Sequence, residues 1–161
     1  MPDRKKALIA GATGVVGRNL LRHLLTLDDW DVIAVSRRKP DVEGRYEHVA
    51  LNLLDHAQTF EALKRPRGVT HVFFSAYIER PTWAEMVAPN QTMLVNLMDA
   101  IETASPDLAH INLMHGTKWY GNHLGGCQQN TRRRDRTTPP PTAMCLRHPI
   151  AQALRRLYPR A

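Results

Sequence analysis

The sequence predicts an α/β protein built on a doubly wound parallel sheet. Short apolar segments alternate along the chain with segments of helical periodicity, and three glycines at a three-residue spacing join the first apolar segment to the first periodic one. At 161 residues, the chain is long enough for one domain with a real core and too short for a second full domain. No apolar run approaches the roughly 20 residues of a membrane span, so we expect a cytoplasmic protein without membrane contacts.

The predicted strands are apolar and rich in β-branched or aromatic residues, as strands buried on both faces are. They cover residues 6–10, 31–36, 48–54, 69–77 and 109–114. Helices are predicted over 16–27, 59–65 and 90–104, and residues 83–89 lead into the last of them. Asp28 and Asp29 end the first helical pattern, and Pro106 follows the end of the third. Apolar residues at helical spacing predict the buried face of the third helix: Met93, Leu94, Leu97 and Ile101.

The turn between the first strand and the first helix predicts a phosphate-binding site. Glycines there allow a pyrophosphate to approach the backbone closely, and the helix N-terminus offers unpaired N–H groups with a partial positive charge. The candidate cofactor residues in this turn are Gly11, Thr13, Gly14, Val15, Val16 and Gly17. Their G-x-x-G-x-x-G spacing differs from G-x-G-x-x-G and resembles the nucleotide motif of the extended short-chain dehydrogenase/reductase superfamily. A glycine-rich turn that only packs two elements together is the alternative.

Ser36, Arg37 and Arg38 follow at the end of the second strand, where a dinucleotide-binding fold places the adenosine ribose. A carboxylate at this position would bind the 2′-hydroxyl of NAD, whereas guanidinium groups suit the 2′-phosphate of NADP. Since the position carries a hydroxyl and two arginines and no carboxylate, we predict that the cofactor is NADPH. The alternative is a solvated basic turn.

Two further strand ends carry candidate cofactor contacts. In the extended reductases, an aspartate at the end of the third strand and the backbone of the next residue contact the adenine. Asn52 stands at that position in this chain and Leu53 follows it, although an ordinary strand-end turn explains these residues equally well. Ser75 and Ala76 belong to the C-terminal end of the predicted fourth strand, and ligands of open parallel sheets bind outside the carboxyl ends of the strands.

The segment after the fifth strand, HGTKWYG, lacks the Tyr-x-x-x-Lys pair of most short-chain reductases, because Met114 stands four residues before Lys118. Together with GATGVVG, SRRKP and THVFFSAY, this segment resembles the progesterone 5β-reductase and iridoid synthase-like family and its bacterial relatives. The resemblance covers residues 6 to about 125. It implies an NADP-binding domain of Rossmann-like fold, which we place over residues 1–125.

The resemblance also implies an NADPH-dependent oxidoreductase that acts on a small molecule. The family reaction reduces a C=C bond conjugated to a carbonyl, with hydride delivered to the β-carbon. The lysine of the family's Gly-x-Lys-x-Tyr stretch is catalytic, and this role carries over to Lys118. The family's catalytic tyrosine belongs to a later Asn-Phe-Tyr-Tyr-like segment that this chain lacks. Tyr120 is the substitute acid that the chain offers, although the family has a tyrosine here besides the catalytic one.

Residues 126–161 differ sharply in composition from the rest of the chain. They hold eight arginines and one acid, Asp135, whereas residues 1–125 hold 14 basic and 14 acidic side chains. Because the excess charge is confined to this segment, we expect a small-molecule substrate and no nucleic-acid partner. Three consecutive prolines at 139–141 forbid regular structure, so we expect an irregular or disordered tail. Cys127 and Cys145 fit no zinc pattern, and we expect no metal site.

Two explanations of this tail are open. A shift of reading frame in a GC-rich gene would produce the arginine- and proline-rich composition and a truncated form of the family's fold. A genuine basic tail, centred on arginines 132–134, that binds an acidic partner is the alternative. An incomplete sheet would leave the fifth strand at its edge, and we expect self-association there.

Two functions are also open, a reductase and a cofactor-binding module without chemistry, and we expect cofactor binding with little or no turnover.

Overall fold

Five parallel strands form one sheet in the part of the chain that the structure describes, residues 4–65 and 67–114 of a computed structural model. The elements follow one another as β1 (Lys5–Ala10), α1 (Val15–Leu24), β2 (Trp30–Ser36), β3 (Glu47–Ala50), α2 (His56–Leu63), β4 (His71–Phe74), α3 (Trp83–Ala104) and β5 (His110–Leu113). No helix within these residues is long and apolar enough to cross a membrane.

The order of the strands across the sheet is β3-β2-β1-β4-β5. The chain therefore moves outward from β1 to β3 and then returns to the other side of β1 with β4. Because connections between parallel strands are right-handed, this reversal places α1 on one face of the sheet and α2 and α3 on the other. The predicted doubly wound parallel sheet is confirmed.

Apolar side chains on both faces of the sheet form the core. On the α1 face, alternate residues of β1 and β2 pack against the inner side of the helix: Ala7, Ile9, Val32 and Ala34 against Leu21 and Leu24. Residues 37–46 join β2 to β3 without a helix and add Val42 and Tyr46 to this cluster. On α3, the four residues predicted as the buried face are all buried.

The third and fourth strands end earlier than their apolar sequences predict, because a strand ends where its partner ends. β3 stops at Ala50 and not at residue 54, since Ala50 is paired with Ser36, the last residue of β2. The backbone N–H of Leu51 makes one more bond, 3.3 Å long, to the carbonyl oxygen of Ser36. β4 is likewise shorter than the predicted 69–77, because Phe74 is paired with Ala10 at the end of β1.

Two helices begin earlier than predicted, because side chains cap them. The Asp55 carboxylate accepts a 2.9 Å hydrogen bond from the backbone N–H of Gln58, and α2 therefore starts at His56. Thr82 caps α3 in the same way by accepting from the backbone N–H of Glu85 at 3.3 Å. α3 then continues through Pro89, where the prediction placed only a lead-in segment.

β5 borders the sheet of the described residues on the side opposite β3. The predicted boundary at residues 125 and 126 and the arginine-rich tail lie outside the residues that the structure describes. Self-association through the edge of β5 stays a prediction.

Candidate functional site

The glycine turn brings the ends of three strands into contact. Gly11 has a φ of 83°, in the left-handed region that favours glycine, and its N–H donates a 3.0 Å hydrogen bond to the carbonyl oxygen of Val35 on β2. A β-carbon on Gly11 would lie 2.6 Å from the backbone nitrogen of Ala76, just after β4. Only glycine at this position allows the turn to lie against the chain that leaves β4.

Gly17 is required for a different contact, between helix α1 and the same turn. A β-carbon on Gly17 would lie 2.3 Å from the carbonyl oxygen of Gly11 and 2.7 Å from the hydroxyl of Ser75. That hydroxyl donates a 2.8 Å hydrogen bond to the carbonyl oxygen of Ala10. Ser75 therefore ties the end of β4 to the end of β1 and forms part of the surface on which α1 rests.

Gly14 has neither of these constraints. Its φ of −72° is open to any residue, and a β-carbon would find its nearest neighbour, the carbonyl oxygen of Gly11, at 3.4 Å. Gly14 is exposed and is the N-cap residue of α1, where serine, threonine, aspartate or asparagine would stabilise the helix better. Packing among the described residues therefore gives no reason for glycine here, whereas a ligand that contacts the backbone would.

The start of α1 suits an anion. N–H groups in the first turn of a helix have no partner within the helix, and no side chain in the described part of the chain caps this end. The first turn carries no acidic residue, so the helix dipole is not neutralised there. Arg18 lies in the following turn, and its Nε is buried without a hydrogen-bond partner among the described residues. Thr13, Val15 and Val16 are exposed around this end.

The end of β2 presents two exposed guanidinium groups. Arg37 and Arg38 are exposed, and within residues 4–65 and 67–114 neither side chain has a hydrogen-bond or ion-pair partner. The buried hydroxyl of Ser36 is engaged, because it donates a 2.7 Å hydrogen bond to the carbonyl oxygen of Arg38. It also lies 3.2 Å from Nε2 of His48 on β3. The two arginines are therefore the groups at this strand end that remain available to a ligand.

The loop after β3 is held from two sides. The N–H of Asn52 donates to the side-chain oxygen of Gln58 at 2.8 Å, and the carbonyl oxygen of Leu53 accepts a 2.8 Å hydrogen bond from Asn96 on α3. The side chain of Asn52 is exposed, with its oxygen 3.3 Å from the N–H of Leu54. Because the side chain of Leu53 is buried, this residue can offer a ligand only its backbone.

The chain after β4 is fixed to α3. Buried Asn90 bonds to both backbone groups of Ile78, and the hydroxyl of Tyr77 donates to the sulfur of Met86 at 3.0 Å. Partial burial raises the pKa of Tyr77 above its ordinary value, and the charge of Glu79 adds to this effect. A tyrosine phenol is protonated at neutral pH even at its ordinary pKa, and the raised pKa keeps the Tyr77 hydroxyl a hydrogen-bond donor in more alkaline solution.

The predicted cofactor residues thus lie at or just after the carboxyl ends of β1 to β4, which are all at the same end of the parallel sheet. Lys118 and Tyr120, the predicted catalytic residues, lie outside the described residues. No cluster of metal-binding side chains occurs in the described part of the chain. Three residues that hold the loops of the site were not predicted from the sequence: His48, Asn90 and Asn96. The two asparagines had a detectable signal, since both are polar residues within an apolar helical pattern.

The site can be compared with known proteins. The chain is 31% identical over 140 residues to the short chain dehydrogenase gsfE of Penicillium aethiopicum, a match that covers 81% of this chain and 37% of that protein. It is 35% identical over 122 residues to a 3-oxo-Delta(4,5)-steroid 5-beta-reductase of Arabidopsis thaliana, covering 71% of this chain and 31% of that protein. The chain therefore spans about a third of the length of these relatives.

Solved structures show the same fold. A short chain dehydrogenase family protein from Francisella tularensis superimposes with a TM-score of 0.60 at 13% identity, over 71% of this chain and 52% of that chain.

The match to the Arabidopsis reductase confirms the predicted resemblance to the progesterone 5β-reductase-like proteins. The model of the NAD dependent epimerase/dehydratase family matches residues 7–146, and the chain belongs to this family.

Proposed function

We propose that this chain is the NADPH-binding part of a short-chain-type reductase. The observation that carries the proposal combines two features: an exposed Gly14, and two arginines at the end of β2. Among the described residues, packing does not require a glycine at position 14, and neither arginine side chain has a partner. Gly14 would allow a pyrophosphate to lie against the backbone, and the two guanidinium groups suit a phosphate on the adenosine ribose. Family membership supports a nicotinamide cofactor in this place.

The choice of NADPH over NADH rests on charge. A cofactor without the 2′-phosphate is usually held by a carboxylate at the end of β2, and here that position is occupied by Ser36, followed by Arg37 and Arg38. Two exposed guanidinium groups without carboxylate partners among the described residues favour a phosphate dianion. The hydroxyl of Ser36 already donates its hydrogen bond to the carbonyl oxygen of Arg38. The two arginines, and not the serine, would therefore supply the hydrogen-bond donors to the phosphate.

The chemistry that we propose follows the family. Bound NADPH would supply a hydride to the β-carbon of a C=C bond conjugated to a carbonyl. The name of the Arabidopsis relative describes such a substrate, a 3-oxo-Δ4,5-steroid. Lys118 would stabilise the negative charge that develops on the carbonyl oxygen, and Tyr120, two positions further along the chain, is the proton donor that the chain offers.

Cofactor choice is tested by titrating the protein with NADPH and with NADH. We expect tighter binding of NADPH in the wild type, and a loss of about three- to tenfold in NADPH affinity for Arg37→Ala with NADH affinity unchanged. Arg22→Ala, in the last turn of α1, is the matched control for the loss of one exposed arginine. Equal affinities of the wild type for the two cofactors would refute the assignment.

A cofactor-binding module without chemistry is the second candidate. It is favoured by Met114, which stands four residues before Lys118 and leaves the chain without a Tyr-x-x-x-Lys pair. The two candidates are separated by following NADPH oxidation in the presence of a small enone. We expect little or no turnover from the 161-residue chain, as the module predicts. Turnover that Lys118→Ala abolishes and Lys64→Ala preserves would establish the reductase instead.

A further inference from the structure

His48 contacts Ser36, the residue that immediately precedes the two arginines. It is half-buried on β3, in register with Ala34 of β2, and its side chain therefore reaches along the same face of the sheet to Ser36, two residues further. Nε2 of His48 lies 3.2 Å from the hydroxyl oxygen of Ser36 and 3.3 Å from the Ser36 carbonyl oxygen. One nitrogen thus contacts both polar oxygens of the residue that ends β2.

Counting hydrogens identifies the donor in this contact. A serine hydroxyl has one hydrogen, and that of Ser36 is donated to the carbonyl oxygen of Arg38 at 2.7 Å. Towards His48, both oxygens of Ser36 can therefore act only as acceptors. Nε2 of His48 must carry a hydrogen, in the neutral Nε2–H tautomer or in the imidazolium ion. The result is a directed chain of hydrogen bonds from His48 to Ser36 and from Ser36 to the backbone of Arg38.

This chain of bonds fixes the backbone that presents Arg37 and Arg38. The two guanidinium groups are exposed and have no partner of their own in the described part of the chain, so the backbone of the turn determines where they can reach. Hydrogen bonds from β3 to Ser36 and from Ser36 to Arg38 restrict the conformations that this turn can adopt. A bidentate contact between guanidinium and phosphate depends on geometry, and it is strengthened when the turn is ordered before the ligand binds.

We propose that His48 is a specificity-determining positioning residue for the 2′-phosphate of the cofactor. It acts through Ser36 and Arg38 and does not touch the phosphate. The inference rests on the proposed function, since it concerns the NADPH-binding site described above. It goes beyond that function by assigning part of the preference for NADPH to a histidine on the edge strand β3.

The test compares NADPH and NADH affinities for variants at position 48. His48→Leu removes the donor, and we expect NADPH affinity to fall about three- to tenfold while NADH affinity stays within about twofold of the wild type. His48→Gln keeps an N–H donor at the same distance from the backbone and should retain the wild-type preference. His23→Leu, an exposed histidine in the last turn of α1, is the matched control.

The outcomes separate this inference from the proposed function. If the wild type binds NADPH and NADH equally, the proposed function fails, and the role of His48 fails with it. If the wild type prefers NADPH and a folded His48→Leu variant has the same preference, only the role of His48 is overturned. An equal loss of both cofactors also overturns it, because a merely structural residue would act in that way. Should His48→Leu not fold, His48→Asn, whose shorter amide cannot reach Ser36, carries the same expectations.

Discussion

The side chain of Asn90 forms hydrogen bonds with both backbone groups of Ile78, as a neighbouring β-strand would. Its side-chain oxygen accepts from the N–H of Ile78 at 2.9 Å, and its amide nitrogen donates to the carbonyl oxygen of Ile78 at 2.8 Å. The same nitrogen donates to the carbonyl oxygen of Met86 at 2.8 Å. The chain that leaves β4 is thereby fixed to α3 close to the point where Ala76 lies against Gly11.

The first prediction concerns the hydrogen bonds between Asn90 and Ile78. Asn90→Leu keeps the branched shape of the side chain and leaves both backbone groups of Ile78 without their side-chain partner, so the free energy of unfolding should fall by about 2 to 4 kcal/mol. Urea unfolding followed by circular dichroism measures it. Asn19→Leu, at an exposed position on α1, should change stability by less than about 0.5 kcal/mol. A similar loss for both variants would contradict the role of Asn90.

The second prediction separates the glycines that packing requires from the one that it does not. Gly17→Ala places a β-carbon 2.3 Å from the carbonyl oxygen of Gly11, so α1 must shift, and we expect a loss of about 1 to 3 kcal/mol in stability. Gly14→Ala meets its nearest atom at 3.4 Å and should lower stability by less than about 1 kcal/mol.

Cofactor binding should rank the two variants differently. Gly14→Ala should lose about tenfold or more in NADPH affinity, because the added methyl group occupies the space in which the pyrophosphate would contact the backbone. Thermal unfolding and NADPH titration of the same preparations measure both properties. A Gly14→Ala variant that binds NADPH as tightly as the wild type would show that the pyrophosphate does not contact the backbone at Gly14.

The third prediction concerns pH. Burial lowers the pKa of His71 below its ordinary value of 6.5, and His110 and Lys5 add to this effect. The unfolded chain therefore takes up a proton more readily than the folded one as the pH falls through 6.5. Stability should decrease through that point and level off once the pH lies below the folded-state pKa.

Unfolding in urea between about pH 8 and about pH 5 measures this effect. The Asp29 carboxylate does not interfere, because its pKa is lowered below 3.8 by the hydrogen bond from Lys5. The stability that Asp29 contributes is therefore lost only in stronger acid. His71→Asn should flatten the profile, and His23→Asn, at an exposed position, should not. An unchanged slope for His71→Asn would assign the acid sensitivity to another group.

The fourth prediction concerns the loop after β3. Asn96→Ala leaves the carbonyl oxygen of Leu53 without its 2.8 Å partner, and we expect a loss of about 1 to 2 kcal/mol in stability. Since this loop would contact the adenine, which both cofactors share, NADPH and NADH affinities should fall together and their ratio should stay constant. A change in that ratio would place Asn96 in the recognition of the 2′-phosphate, the role that we propose for His48.

The sequence by itself determined the α/β class, the glycine turn and the absence of a carboxylate at the end of β2. Each of these depends on neighbouring residues, because apolar periodicity and turn chemistry are local properties of the chain. The buried face of α3 could also be predicted, since its four apolar residues recur at helical spacing within one helix.

Only the tertiary structure decided where strands end and which side chains hold the site. β3 ends at Ala50 because β2 ends at Ser36, and apolar residues beyond that point cannot extend a strand without a partner. Asn96 and Leu53 are 43 positions apart in the chain, and Ser36 and His48 are 12 apart. Hydrogen bonds over such separations leave no periodic pattern in the sequence. Folding alone brings the two residues of each pair into contact.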